Sequence, residues 1–557
     1  MKLDLQFRGM TCLSCAQHVQ EALQAVPGVR SALASYPTQR GTVTMDEGVD
    51  PHALISAVAA VGYGAEILRE TGEREHSTGA TPSPDVGEGD AYELLIIGTG
   101  GAGTSAAIRA SELGVAAAVV ERGEVVGGTC VNVGCIPSKY LIEAAAHYHA
   151  ARTAFPGIRP CEPGLAWAEV VRRKREIVEG LRQDKYLDVL ASYEGITLLH
   201  GRAELLGGGR VRVGDAEVKA RLVIVATGTR PVMPPIPGLS ETGALDSTTA
   251  MDLEALPESM IVIGAGSIGL ELGQAFSRFG VRVAVLDVAE RILPQEHPEV
   301  SAELARVLEA EGMEIHTGIR VTGVSRGASG YKVHVQDGSV SGSVEAEQLL
   351  VATGRAPNTG ELGLEAAGVE TDPAGFIRVD EHMRTSNPTI FAAGDVTGGP
   401  GYVYVAALGG GIAAQAALSE ATGEAPIPID LSAVPRVTFT DPQVAAVGLT
   451  EEEAEAAGYR ARATTFPIAA LPRGVVSHRA GGLVKLVAEE GTDRLLGAHL
   501  VAPNAGDVIG EAVLAVRFGL TTRDLISTLH AYLTWGEGLK LSAQTFTRDV
   551  AKLSCCA

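Results

Sequence analysis

Two cysteines five positions apart, Cys130 and Cys135 in Cys-Val-Asn-Val-Gly-Cys-Ile-Pro-Ser-Lys, have the spacing of a pair that can cycle between disulfide and dithiol. They follow Gly127-Gly128-Thr129 and precede Pro137, a residue that fits the first turn of a helix. Cys135 is therefore expected at a helix N-terminus, where the dipole favours a thiolate and lowers its pKa. Two buried structural cysteines are the plainer alternative. Seven cysteines in 557 residues do not make a disulfide scaffold. Six of them form close pairs: Cys130/Cys135, Cys12/Cys15 and Cys555/Cys556. In a reducing compartment such pairs point to redox work or metal binding. Thiolates are soft ligands, and two of them suit linear Cu(I) or Hg(II). Cys555 and Cys556 stand at a terminus, which is usually exposed and mobile, so a ligand pair is expected there rather than core. Cys161 stands alone and is expected to be a packed structural residue.

The elements that position these sulfurs follow from the glycines. Tyr92–Ile97 reads as an apolar strand running into Gly98-Thr-Gly100-Gly-Ala-Gly103, then a helix Thr104–Leu113, then a strand Val115–Val120 closed by Glu121. That order is the dinucleotide fingerprint: glycines admit a pyrophosphate, the helix N-terminus faces it, and the acid holds a ribose. The pattern recurs as strand Met260–Ile263, loop Gly264-Ala-Gly266-Ser-Ile-Gly269, a helix through Phe279, and strand Val281–Leu286 closed by Asp287. Two such sites imply two cofactors with electrons passing between them. An acid at the position of Asp287 accepts the 2′-hydroxyl of NADH and repels the 2′-phosphate of NADPH. NADH is therefore expected to serve at least as well as NADPH, unless Arg282 or Arg291 compensates.

Residues 1–69 read as a separate βαββαβ unit of ferredoxin-like order, with Asp50 capping a helix that begins at Pro51. Cys12 and Cys15 fall in one loop at the start of its first helix. Residues 70–90 are rich in Gly, Pro and Ser and read as a flexible linker. A formal charge of −22 argues against nucleic-acid or anionic-membrane partners. No stretch is long and apolar enough to span a membrane, and the N-terminus lacks a signal-peptide pattern, so a cytoplasmic protein is expected.

Taken together, these motifs resemble the flavin-dependent pyridine nucleotide-disulfide oxidoreductases, and Gly-Met-Thr-Cys-x-x-Cys resembles the heavy-metal-associated domain. The resemblance implies a fold of two Rossmann-like α/β domains, an α+β dimerisation domain, and the small metal-binding domain in front. Its boundaries are 91–235 (FAD, first part), 236–360 (NAD(P)H), 361–430 (FAD, central part) and 431–557 (dimerisation). It places FAD at Gly98, Gly100, Gly103, Glu121, Thr129, Ala203, Asp395 and Val403, and the nicotinamide cofactor at Gly264, Gly266, Gly269, Asp287 and Gly354. Lys139 and Glu271 carry over as the pair beside the flavin. The resemblance also implies a homodimer whose active sites draw on both chains.

One substitution separates the branches of that family. Disulfide-reducing members carry His-x-His-Pro-x-x-x-Glu, the second histidine being the general acid/base. Here the stretch reads His530-Ala-Tyr532-Leu-Thr-Trp-Gly-Glu537, and a phenol with an ordinary pKa of about 10 is a poor base at neutral pH. A metal substrate needs soft ligands instead. With the terminal Cys555-Cys556 pair, the chain resembles the branch that reduces mercuric ion. Cys130, Cys135, Tyr186 and Tyr532 are then its catalytic residues, Cys12, Cys15, Cys555 and Cys556 its relay ligands, and Hg(II) its substrate. The rival reading is a dihydrolipoamide dehydrogenase-like disulfide reductase.

Overall fold

The computed structural model describes residues 2–9, 13–35, 40–46, 48–71, 90–123 and 125–553. The chain divides into two compact units, residues 1–82 and 83–557. Alternation of Leu3, Leu5 and Phe7 in strand Lys2–Arg8 gives the small unit one apolar sheet face. That strand pairs antiparallel with Arg40–Met45 on one side and Gly64–Thr71 on the other, and Val29–Ser35 completes the four-stranded sheet. Helices Leu13–Gln24 and Pro51–Ala60 supply Val19, Leu23, Leu54 and Val58 to the same core. Asp50 caps the second helix by accepting from the His52 N–H at 2.9 Å, with Pro51 in the first turn as expected.

In the large unit, strand Ala91–Ile97 is apolar on both faces, the pattern of a strand covered by helices on either side. It lies between parallel partners Ala117–Glu121 and Ala216–Val225 in a seven-stranded sheet. The late strand Ile390–Ala392 joins this sheet beside Val223–Val225, so residues 390–395 return to the first glycine loop. A second parallel sheet is built on Ser259–Ile263, flanked by Arg282–Leu286 and Gln348–Val351. A five-stranded antiparallel sheet of residues 436–502 is packed by helix Ala505–Arg517 and forms the third layer system. Its outer surface exposes Leu514, Phe518, Leu520 and Leu529. No helix among the described residues is long and apolar enough to cross a membrane.

Candidate active site

The sulfur pair is held against the first nucleotide loop by glycines. Gly127 and Gly128 have φ of +109° and +66°, and a Cβ on Gly128 would lie 2.6 Å from the Gly100 Cα. Only glycine lets these two backbones touch. Thr99 ties them further: its Oγ1 accepts from the Gly127 N–H at 3.0 Å and donates to the Glu121 carboxylate. From Gly128 to Val133 the chain makes a short helix carrying Cys130, which the sequence did not announce. Gly134, where a Cβ would meet the Thr129 carbonyl oxygen at 2.9 Å, breaks that helix, and helix Cys135–Arg152 begins at the second cysteine. Cys135 is thus at a helix N-terminus, as its flanking residues imply.

The break brings the two sulfurs into hydrogen-bond contact. The bond from Cys130 holds the Cys135 thiol down to about 7 against burial, with the Lys139 charge assisting. Cys130 keeps its proton: the same bond, burial and the neighbouring sulfur's charge push its pKa up. Both cysteines are free thiols. The arrangement is a dithiol poised to carry one proton near neutral pH.

Lys139 lies one turn along the same helix. Its Nζ is 2.7 Å from Glu271 Oε2 and 4.4 Å from the centre of the Phe439 ring. Glu271, only 6% exposed, also accepts from the Phe439 N–H at 2.8 Å. This carboxylate therefore joins the redox helix, the second nucleotide-binding helix and the antiparallel-sheet region at one point. Phe439 was not foreseen as a site residue; only its backbone N–H and ring are used, and neither has a sequence signature.

Tyr186 is brought against the segment that carries the cysteines, by an unexpected route. The helix that carries it is interrupted: Trp167–Arg182 is α-helix, Gln183–Leu187 is a π-turn, and Asp188–Ser192 resumes the α form. The turn places the Tyr186 ring over Gly127, within 3.3 Å of where a Cβ would stand. Burial, then the charges of Cys130 and Cys135, raise the phenol's pKa, so it is a neutral donor beside the sulfurs. Just before the turn, Arg182 Nε donates to Asn132 Oδ1 at 2.8 Å. Asn132 in turn donates to the carbonyls of Val126 and Gly128, at 3.0 and 2.9 Å. Arg182 and Asn132 thus hold the cysteine helix to the tyrosine helix. Asn132 stood in view between the cysteines, but its partner could not be read.

Two cradles fit dinucleotides. In the first, Gly98 and Gly103 leave no room for side chains, and Glu121 accepts from the Gly123 N–H at 2.9 Å. Asp395 accepts from Thr229 Oγ1 at 3.1 Å, with Arg355 Nε 2.7 Å from the same hydroxyl. Val403 opens helix Val403–Thr422, its Cγ2 3.1 Å from the Cβ position of Gly101. Ala203 begins the strand Ala203–Gly207, reached through Gly201, whose N–H donates to the Glu121 carbonyl. The residues present fit FAD: glycines that leave space for a pyrophosphate, a helix N-terminus facing it, and the carboxylates of Glu121 and Asp395 to take its hydroxyls. The second cradle repeats the first with Gly264, Gly266, Gly269 and Asp287, and Gly354 at φ +137° ends the neighbouring strand.

Other expected residues lie elsewhere. Tyr532 is 56% exposed, in the turn between His530 and Glu537. His530 is committed to Glu511 Oε1 at 2.7 Å, and Glu537 is buried with its Oε2 lacking a hydrogen-bond partner among the described residues. Cys15 is in the first turn of Leu13–Gln24 and packs on the small unit's core, inside the helix rather than in the loop before it. Cys12, Cys555 and Cys556 fall outside the described residues. Cys161 is exposed rather than packed, because it lies in the irregular segment Arg-Pro-Cys-Glu-Pro-Gly between two helices.

A redox dithiol between two dinucleotide cradles, with a third domain closing over its Lys–Glu pair, defines a flavoprotein disulfide oxidoreductase. Residues 92–410 match the pyridine nucleotide-disulphide oxidoreductase family, 434–543 its dimerisation domain and 5–64 the heavy-metal-associated domain. The chain is 41% identical over 555 residues to a mercuric reductase of Staphylococcus aureus, covering 99% of this chain and 98% of the relative. It is 45% identical over 473 residues to one of Streptomyces lividans, covering 84% and 98%. Among solved structures, the Cu(II) complex of the HOCl-induced flavoprotein disulfide reductase RclA from Escherichia coli matches with a TM-score of 0.73 and 30% identity, over 82% of this chain and 99% of that one. The chain belongs to the mercuric reductases within the pyridine nucleotide-disulphide oxidoreductase family, and it is a homodimer-forming member by its dimerisation domain.

Proposed function

We infer that this chain reduces Hg(II) to Hg(0) with electrons from NADH or NADPH, the metal ion being handed between thiolates. The observation that carries the reading is the Cys130–Cys135 dithiol with Cys135 held to about 7, in a chain that has Tyr532 where disulfide-reducing relatives need an imidazole base. FAD, when bound in the first cradle, supplies the two-electron relay between nicotinamide and sulfur. Glu271 fixes Lys139, and Lys139 sustains negative charge on Cys135. Cys135 therefore attacks the incoming mercury thiolate first and displaces one carrier thiolate, and Cys130 displaces the second, its proton leaving on that carrier as a thiol. Each handover exchanges one sulfur ligand for another, so the soft cation is never free. Tyr186, a neutral donor, steadies the departing thiolate. Two electrons convert Hg(II) to a neutral atom that sulfur no longer holds, and NAD(P)H leaves as NAD(P)⁺ and a proton.

The outer steps of the relay we assign to Cys12 and Cys15 of the small unit and to Cys555 and Cys556 of the partner subunit, with Tyr532 of the partner subunit completing the inner site. We place the reaction in the cytoplasm, where reduced thiols deliver the metal. His530 does not offer a substitute base for disulfide chemistry, because both its ring nitrogens are engaged, Nε2 with Glu511 at 2.7 Å and Nδ1 with the Thr528 carbonyl at 3.0 Å. Anaerobic oxidation of NADH and NADPH, measured with and without Hg(II) in excess small thiol and with mercury vapour trapped, tests the assignment. Mercury-dependent oxidation with vapour release is expected. Oxidation that follows lipoamide and ignores mercury overturns it in favour of the disulfide reductase.

A further inference from the structure

We propose that the second cradle is built to take NADH and to refuse NADPH, and that Asp287 decides the choice. The inference rests on the functional reading above and names its reductant. The chain contains the same device twice. Gly98 and Gly264 have φ of +111° and +112°, and a Cβ on either would lie 2.4 Å from a carbonyl oxygen of the neighbouring strand, Ala226 or Ala352. A Cβ on the third glycine, Gly103 or Gly269, would lie 1.8 or 2.0 Å from the carbonyl of the first. The acids are held alike. Glu121 accepts from Thr99, the middle residue of its loop, and from the Gly123 N–H two residues onward. Asp287 accepts from the N–H of Ala265, the middle residue of its loop, at 2.5 Å, and from Ala289, two residues onward, at 2.8 Å.

The first cradle fits FAD, whose adenosine carries a free 2′-hydroxyl. A cradle with the same glycine geometry, whose carboxylate is tied to the same loop position (by the Thr99 hydroxyl in the first, by the Ala265 N–H in the second), is shaped for the same sugar. Each Asp287 oxygen keeps a lone pair for a hydroxyl donor. A 2′-phosphate would instead bring its negative charge against an anchored carboxylate, and like charges that close are repelled unless a cation intervenes.

Of the cations that could intervene, Arg291, Arg282 and His316 are committed or remote, and Arg320 is the neighbour that remains. Arg291 donates to the Pro294 carbonyl at 2.8 Å. Arg282 starts the strand that Asp287 follows, so it lies at the opposite end, roughly 13–17 Å away at about 3.3 Å per residue. The imidazole of His316, on the next strand, lies 3.8 Å from Glu314. Arg320 follows Ile319, whose N–H donates to the Asp287 carbonyl at 2.9 Å, before the chain enters the separate three-stranded sheet, so its removal belongs in the test. Glu290, against Gly318 in the same loop region, adds negative charge.

The test is equilibrium binding of ADP-ribose and 2′-phospho-ADP-ribose to the full-length, FAD-loaded protein by calorimetry. It involves no mercury and no turnover, so its outcome is independent of the assigned reaction. The wild type is expected to bind ADP-ribose at least about a hundredfold tighter than its 2′-phospho form. Asp287→Ser should narrow that ratio to about tenfold or less. Val288→Arg alters a residue 65% exposed at the strand end, so the fold survives, and it should strengthen binding of the 2′-phospho ligand by about tenfold. Comparable affinities of the wild type for the two ligands overturn the proposal. So does a wild-type preference for the 2′-phospho ligand that Arg320→Ala abolishes, or a ratio unmoved by both Asp287→Ser and Val288→Arg.

Discussion

At the scale of single residues, two ionisable groups with lowered pKa values, one held charged and one held neutral, set the dependence on pH. Cys135 is held to about 7 first by the bond from Cys130, then by Lys139. Lys139→Met removes the cation and should raise the Cys135 pKa, leaving less thiolate at neutral pH. Ultraviolet thiolate absorbance against pH, referenced to Cys135→Ser, reads the shift directly; an unmoved midpoint would show that Lys139 contributes nothing. His499 is also shifted down, but by burial, which favours its neutral form. Its side chain is fully buried in the antiparallel sheet, its Nε2 meets the Leu449 carbonyl at 3.1 Å, and its Nδ1 has no partner among the described residues. Burial lowers its pKa to about 4. A histidine held neutral in the fold contributes stability that is complete above its unfolded pKa, about 6.5, and is lost as pH falls toward 4. The loss is on the order of 3 kcal/mol, so Tm should drop between pH 6.5 and 4 more steeply in the wild type than in His499→Asn. Parallel pH profiles of Tm for the two proteins would remove His499 from the account.

At the scale of elements, the active site depends on two irregularities in otherwise regular helices. Gly134 splits the cysteine segment so that Cys130 and Cys135 face one another, and the Gln183–Leu187 π-turn rotates Tyr186 over Gly127. A π-turn holds one residue more than the α form, and such turns cluster at functional sites. Deleting Asp184 should restore α-register and swing Tyr186 by about 100° away from the sulfurs. Mercury turnover should then fall as far as in Tyr186→Ala while flavin absorbance is retained. Turnover near that of the wild type in the deletion would mean that the turn does not position the ring. These irregularities also mark the limit of what the sequence could convey. Cys135 at a helix start was legible because proline and the glycines impose it locally, and both nucleotide loops were legible because backbone contact tolerates only glycine. The π-turn, the Arg182–Asn132 bond and the Phe439 contact were not, because each is decided by packing between elements far apart in sequence. Cys161 misled for the same reason: residue type favours burial, but its irregular, proline-flanked segment leaves the side chain exposed.

At the scale of the whole molecule, the metal-binding and redox functions reside in separately packed bodies. Residues 1–82 have their own core of Leu3, Leu5, Phe7, Val19, Leu54 and Val58, and residues 83–557 contain both cradles, the dithiol and the dimerisation sheet. Glu271 explains why the second body must stay whole, since its carboxylate joins Lys139 to Phe439 across three regions of the chain. The exposed Leu514, Phe518 and Leu529 give that body an apolar surface suited to a second copy. A protein beginning at Ser83 should therefore fold, dimerise and bind FAD without the first unit. With Hg(II) supplied in excess small thiol, its kcat should stay within about twofold of the full chain, because the inner dithiol is intact. A difference should emerge only when thiol is scarce, where Cys12 and Cys15 would compete for the metal and raise its local concentration near the dithiol. Steady-state turnover of both proteins over a range of thiol concentration measures this. A truncated protein that loses flavin, or whose kcat collapses at high thiol, would mean that the two bodies are one functional unit.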